Sequence, residues 1–104
     1  MNPWILVVLA GILETGWAIG LKYSEGFTRP IPTVLTMAGV VASFWLLSLA
    51  MRDLPAGTAY AVWVGIGAVG TVIAGAMFLA EPLNPLRVAG VGLIIAGIAA
   101  LRFA

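Results

Sequence analysis

Glu14 is the residue in this sequence whose chemistry its surroundings do least to accommodate. It lies in the run Ile12-Leu13-Glu14-Thr15-Gly16-Trp17, near the middle of an apolar stretch. A carboxylate at that depth in a membrane costs roughly 2.5–3.5 kcal/mol on insertion scales, and such residues ordinarily mark a function. The basic residues Lys22, Arg29, Arg52, Arg87 and Arg102 all fall between the apolar stretches or at their ends. None can pair with Glu14 from within a span. The carboxylate must then be protonated, solvated in a water-filled cavity, or paired with a cation from outside. Low-dielectric surroundings disfavour an unpaired charge, so a proton and an arriving cation compete for one group. That competition is the chemistry of cation/proton exchange. The competing structural reading is a permanently protonated Glu14 that hydrogen-bonds a neighbouring helix.

The chain has no histidine and no cysteine. Proton chemistry near neutral pH therefore falls to a carboxylate, a tyrosine or a lysine, and disulfides and thiolate metal sites are excluded. Trp17 follows Glu14 by three residues and so lies close to it on a helix surface. Tyr60, Trp63 and Gly67 repeat that spacing further along. Aromatic rings beside a carboxylate suit a cation, through attraction to the ring faces. Aromatic residues also form belts at the membrane interface, a reading that suits Trp4 well and Tyr60 in part. For Trp17 and Trp63 the two readings stand level. The Ser43 hydroxyl has two available partners, the Glu14 carboxylate and a carbonyl of its own helix. Glu25, Asp53 and Glu81 lie in or beside the connections and read as solvated. No pairing of nucleophile with base suggests an enzyme, and neither a metal nor a cofactor is expected.

The elements that must position these residues are set by composition. Of 104 residues, 62% are hydrophobic and 9% charged, about a third of the charge a soluble domain carries. A chain this short cannot bury so many apolar side chains in a core of its own. Lipid resolves the conflict. Apolar stretches run over about 4–21, 32–51, 58–79 and 86–103, each long enough to cross roughly 30 Å of hydrocarbon as helix. Gly26, Pro30, Pro55, Gly57, Pro82 and Pro85 punctuate the segments between them. A β-barrel is excluded because the stretches do not alternate, and a soluble bundle because they lack charged faces. The sequence thus predicts an all-α membrane protein, one domain of four transmembrane helices over residues 1–104. The net charge of +1 gives no signal for nucleic acid.

With an even number of spans, Lys22, Arg29 and Arg87 share one membrane face, and Arg52 and Arg102 share the other with the amino terminus. So even a split gives the positive-inside rule nothing to act on, and insertion in both orientations is expected. Gly16 and Gly20 form a small-xxx-small pair, Gly90 and Gly97 would let the fourth span approach another helix, and Gly65, Gly67 and Gly70 would soften the third span into a bend.

From end to end the sequence resembles the small multidrug resistance transporters. The resemblance is carried by Leu13-Glu14 with Trp17, the run from Leu21 to Arg29 (LKYSEGFTR), Ala42-Ser43-Phe44-Trp45-Leu46-Leu47, and Gly57-Thr58-Ala59-Tyr60-Ala61-Val62-Trp63. Trp17 one turn after the glutamate and the run Gly65-Ile66-Gly67-Ala68-Val69-Gly70 look most like the guanidinium-exporter subtype. The resemblance implies a proton-coupled antiporter in the cell membrane, built as an antiparallel homodimer of oppositely inserted copies. Its partners would be protons, a guanidinium-like cation, the bilayer and a second copy of itself. Glu14 of both copies would bind substrate or protons, and Ser43 and Trp63 would orient the carboxylates by hydrogen bonds. Trp17 would flank them and Tyr60 would line the pathway. Gly65 and Gly67 would hold the bend, and Gly90 and Gly97 the dimer contact. The alternative is a broad exporter of lipophilic quaternary ammonium cations. Guanidinium fits the residues physically: it is flat, weakly hydrated and rich in N–H donors that a carboxylate accepts in parallel.

Overall fold

The computed structural model describes residues 2–104, and its regular structure consists of four helices: α1 (Pro3–Tyr23), α2 (Pro30–Ala50), α3 (Ala56–Phe78) and α4 (Pro85–Phe103). All four are long and apolar enough to cross a membrane. The starts of α1, α2 and α4 differ from the expected bounds for one reason, while α3 begins at Ala56, directly after Pro55. Pro30 and Pro85 do not lie outside the helices as breakers; each opens one, as Pro3 opens α1. Proline at the first helical position loses nothing, because its missing N–H would have had no partner there. The side-chain oxygens of Asn2 and Asn84 accept from the backbone N–H groups of Trp4 and Arg87 at 2.8 and 2.9 Å, which fixes the first turns of α1 and α4.

The α1–α2 connection is organised by Ser24, a residue that the sequence did not single out. Its buried hydroxyl donates to the Leu21 carbonyl at 2.8 Å and accepts from the Phe27 N–H at 3.2 Å. The Thr28 and Arg29 N–H groups both donate to the Ser24 carbonyl, at 3.0 and 3.1 Å. This knot holds Glu25, Gly26 and Phe27 at φ of 49°, 73° and 66°, the left-handed region that only Gly26 enters without strain. Connections as short as 24–29, 51–55 and 79–84 make successive helices antiparallel.

The helices form a slab of 40 × 34 × 17 Å. α1 lies between α2 and α3, and α4 packs along α3, with its last turn also reaching Trp4 at the start of α1. The tight core joins Leu6, Val7 and Ala10 of α1 to Leu47 and Ala50 of α2 and to Ala59, Val62 and Trp63 of α3. These residues occupy the starts of α1 and α3 and the end of α2, so the core fills the half of the slab that carries the termini. In the other half a cleft of about 330 Å³ opens between α1 and α2, lined by Gly16, Ile19, Gly20 and Leu35 among others. Large apolar side chains such as Ile31, Leu35, Leu86 and Leu93 face outward, as they must when lipid is the solvent.

α3 is helical without interruption from Ala56 to Phe78, and the glycines read as a bend are where other elements touch it. A Cβ added at Gly65 would lie 2.9 Å from Ile98 Cδ1 of α4, and one at Gly67 would meet the Glu14 carboxylate. In this conformation they are contact glycines.

Candidate intramembrane site

Glu14 lies just beyond the core, half-buried on the seam between α1 and α3. Gly67 supplies the space for it, and Gly70, one turn further along α3, receives Thr15. The missing Cβ atoms let the two backbones approach until side chains of α1 lie against the main chain of α3. The Thr15 hydroxyl is 3.3 Å from the Gly11 carbonyl and 3.4 Å from that of Gly67. All five Lys and Arg residues lie in connections or in terminal turns. Among the described residues, no basic side chain therefore reaches the Glu14 level. No three His, Cys, Asp or Glu side chains among them could hold a metal ion.

Ser43 takes neither of the partners expected from sequence. Its buried hydroxyl donates across to the Ala10 carbonyl of α1 at 2.7 Å, and it accepts from the Trp63 indole N–H at 2.9 Å. A chain of hydrogen bonds thus runs from α3 through α2 to α1. Ala10 precedes Glu14 by four residues, so its carbonyl also accepts the Glu14 N–H in the helical ladder. In this conformation Ser43 and Trp63 are bonded to the backbone turn that carries Glu14 and not to its carboxylate. The Trp63 ring is held in turn by Phe44 and Tyr60, at centroid distances of 5.4 and 5.5 Å with tilted planes. Ser43→Ala would leave the Trp63 N–H buried without an acceptor. Such a group costs about 1–3 kcal/mol, well above the roughly 0.6 kcal/mol that interhelical hydrogen bonds in membranes average. Thermal unfolding in detergent should therefore show a clear loss of stability. A midpoint equal to that of the unmodified protein would show that the chain of bonds carries no load.

Trp17 sits differently from its expected place. Its Cβ packs against Gly39 of α2, where an added Cβ would come within 3.1 Å. The indole therefore belongs to the α1–α2 seam, while Glu14 belongs to the α1–α3 seam next to it. Its Nε1 is buried with no hydrogen-bond partner among the described residues, as is Thr36 Oγ1 on the same seam. Trp4 meets Arg102, whose guanidinium lies 4.9 Å from its ring centroid and ties the end of α4 to the start of α1. Gly90 and Gly97 face open space within the chain.

The structure thus gathers Ser43, Trp63 and Tyr60 into one cluster and joins it to the Glu14 turn through Ala10. It places Trp17 on the adjacent seam and leaves the α4 glycines uncovered. The sequence did not reveal Thr15 as a contact residue, nor Gly67 and Gly70 as receptors. The one available signal was a pair of glycines one turn apart on the third span, at 67 and 70, which leaves room for the adjacent polar residues Glu14 and Thr15.

Four membrane-length helices, with an intramembrane carboxylate that no basic side chain accompanies, define a small multi-pass membrane protein with an ionisable group inside the bilayer. The chain belongs to the small multidrug resistance family: residues 2–94 match the family described as Small Multidrug Resistance protein. Among its relatives is a protein named guanidinium exporter from Yersinia pseudotuberculosis, 55% identical over 101 residues and 97% of each chain. Proteins of the same name from Citrobacter freundii and Escherichia coli K12 are 54% and 52% identical over 99 residues, which is 95% of this chain and 94% of theirs. Family and relatives are transporters, not enzymes.

Proposed function

We propose that this protein exports guanidinium and small guanidinyl cations across the inner membrane in exchange for protons, as a dimer of two oppositely inserted copies. The observation that carries the reading is Glu14 itself, an intramembrane carboxylate at a glycine-made gap with no basic side chain at its level. Empty, the site favours a proton; an arriving cation with N–H donors favours the carboxylate and expels it. Two such carboxylates in one low-dielectric site titrate as a pair, not independently. Coupled exchange follows without covalent chemistry. The names and near full-length similarity of the relatives support guanidinium as the cation.

Dimerisation is supported by α4, which has no buried residue and leaves Gly90, Gly92 and Gly97 open on its surface. A second helix packing there would cover small residues, the usual surface for helix contact in lipid. Opposite insertion is supported by the nearly even division of Lys22, Arg29 and Arg87 against Arg52 and Arg102. A dimer of that kind supplies the inverted symmetry that other transporters build from internal repeats. Within it, Ser43 and Trp63 hold the Glu14 turn, and Tyr60 braces Trp63.

Proteoliposomes with a pH-sensitive dye inside test the reading. Guanidinium added outside should drive proton release at a rate that saturates with concentration. Tetraphenylphosphonium should give little response, since a cation with no N–H groups leaves buried carboxylate oxygens poorly paired. A strong response to tetraphenylphosphonium with little to guanidinium would assign the chain to lipophilic cations and leave the exchange mechanism standing.

A further inference from the structure

Thr15 stands beside Glu14, and its hydroxyl lies between two carbonyls it cannot serve together. A hydroxyl has one proton to donate, yet Thr15 Oγ1 is 3.3 Å from the Gly11 carbonyl of its own helix and 3.4 Å from the Gly67 carbonyl of α3. The Gly67 carbonyl is also contested. Thr71 Oγ1 donates to it at 2.6 Å, and the helical ladder directs the Thr71 N–H to the same oxygen. A carbonyl has two lone pairs, so three donors compete for two places, and the Thr15 contact is longer than that of the Thr71 hydroxyl. Gly70 fixes the approach, since an added Cβ there would lie 3.1 Å from both Thr15 Cβ and Cγ2.

We infer that the Thr15 hydroxyl is a positioning group for Glu14, a releasable tether between the Glu14 turn of α1 and the Gly67 carbonyl of α3. In apolar surroundings a hydroxyl must donate somewhere. When α3 shifts, the Thr15 proton passes to the Gly11 carbonyl and no donor is stranded. The tether therefore opens and closes at little cost, which suits a seam that must move during exchange. When closed, it holds Gly67 against Glu14 and so fixes the position from which the carboxylate meets its cation. Thr71 works against it by occupying the same acceptor. This inference rests on Glu14 being the exchange site.

The test is the guanidinium concentration dependence of proton release by the full-length protein in proteoliposomes. Thr15→Val keeps the shape and removes the hydroxyl. It should raise the half-saturating concentration by about three- to tenfold, the worth of one hydrogen bond, with the maximal rate within about twofold of the unmodified protein. Thr15→Ser should restore the original value. Thr71→Val frees the Gly67 carbonyl for Thr15 and should move the half-saturating concentration the other way, downward by about twofold. In the double variant that gain should vanish, because the effects share one acceptor. An unchanged half-saturating concentration in Thr15→Val would overturn the inference. So would a serine variant as impaired as the valine one, or a Thr71→Val that acts in the same direction as Thr15→Val. The Thr71→Val arm decides the matter even if Thr15→Val does not assemble. Absence of guanidinium exchange in the unmodified protein is a separate outcome, which defeats the functional reading itself.

Discussion

Glu14→Gln should leave the protein inserted and assembled while guanidinium-driven proton release falls to the background of empty liposomes. Glutamine matches glutamate in size and keeps a hydrogen-bonding oxygen, so the gap beside Gly67 stays filled. What disappears is the ability to ionise. A cation in the site loses charge-assisted hydrogen bonds worth roughly 1.5–3 kcal/mol each. Losing two of them weakens binding by roughly a hundredfold or more. The proton that the cation should displace is no longer there either, so the loss is qualitative as well as quantitative. Insertion should not suffer, because a neutral amide costs less in the membrane than a carboxylate. Glu14→Asp tests the same point from the other side. Its charge survives with a shorter reach, so some exchange should remain. A glutamine variant that still accumulates guanidinium under an imposed pH gradient would show Glu14 to be a structural hydrogen-bonding group and not the exchange site.

The spans were legible because hydrophobicity is read residue by residue, and lipid leaves no other place for such runs. Helix ends were less legible. From sequence Pro30 and Pro85 read as stops, and the structure uses them as starts; the residue type is the same, and only its position relative to the unpaired N–H groups decides which role it plays. Ser24 is not legible because a serine in a polar connection looks solvated, and its burial depends on how the chain folds back over it. In the site, Glu14 was legible from charge and depth alone. The partner of Ser43 was not. Sequence offered a carboxylate or its own helix, and the hydroxyl found the Ala10 carbonyl of another helix. Periodicity along one helix does not say which neighbour faces which residue. The same gap explains Trp17. It follows Glu14 by three positions, close enough to share a helix surface, but the offset is enough to turn one toward α2 and the other toward α3.

Gly67→Ala should have an effect opposite in sign to the one helix propensity predicts. In a helix interior, alanine is favoured over glycine by about 1 kcal/mol, so on propensity alone α3 should gain. The structure sets a larger penalty against that gain. The new Cβ would fall 2.6 Å from Glu14 Cγ and would collide with the carboxyl group beyond it. Overpacking of this kind costs typically about 1–3 kcal/mol. The clash has two outlets. Either α3 moves off α1 and the Thr15 contact to Gly67 is lost, or Glu14 swings out of the seam. Both displace the carboxylate from where a cation would meet it, and misplacing a reacting group by about 1 Å can cost a hundredfold. Exchange should therefore drop by at least tenfold, with the thermal midpoint unchanged or lower. Gly57→Ala is the matched control. It lies in the first turn of α3 with nothing within 4 Å of an added Cβ, so it should transport normally and gain slightly in stability. If Gly67→Ala instead behaves like Gly57→Ala, stable and fully active, then the seam opens freely and Gly67 does not fix the position of Glu14.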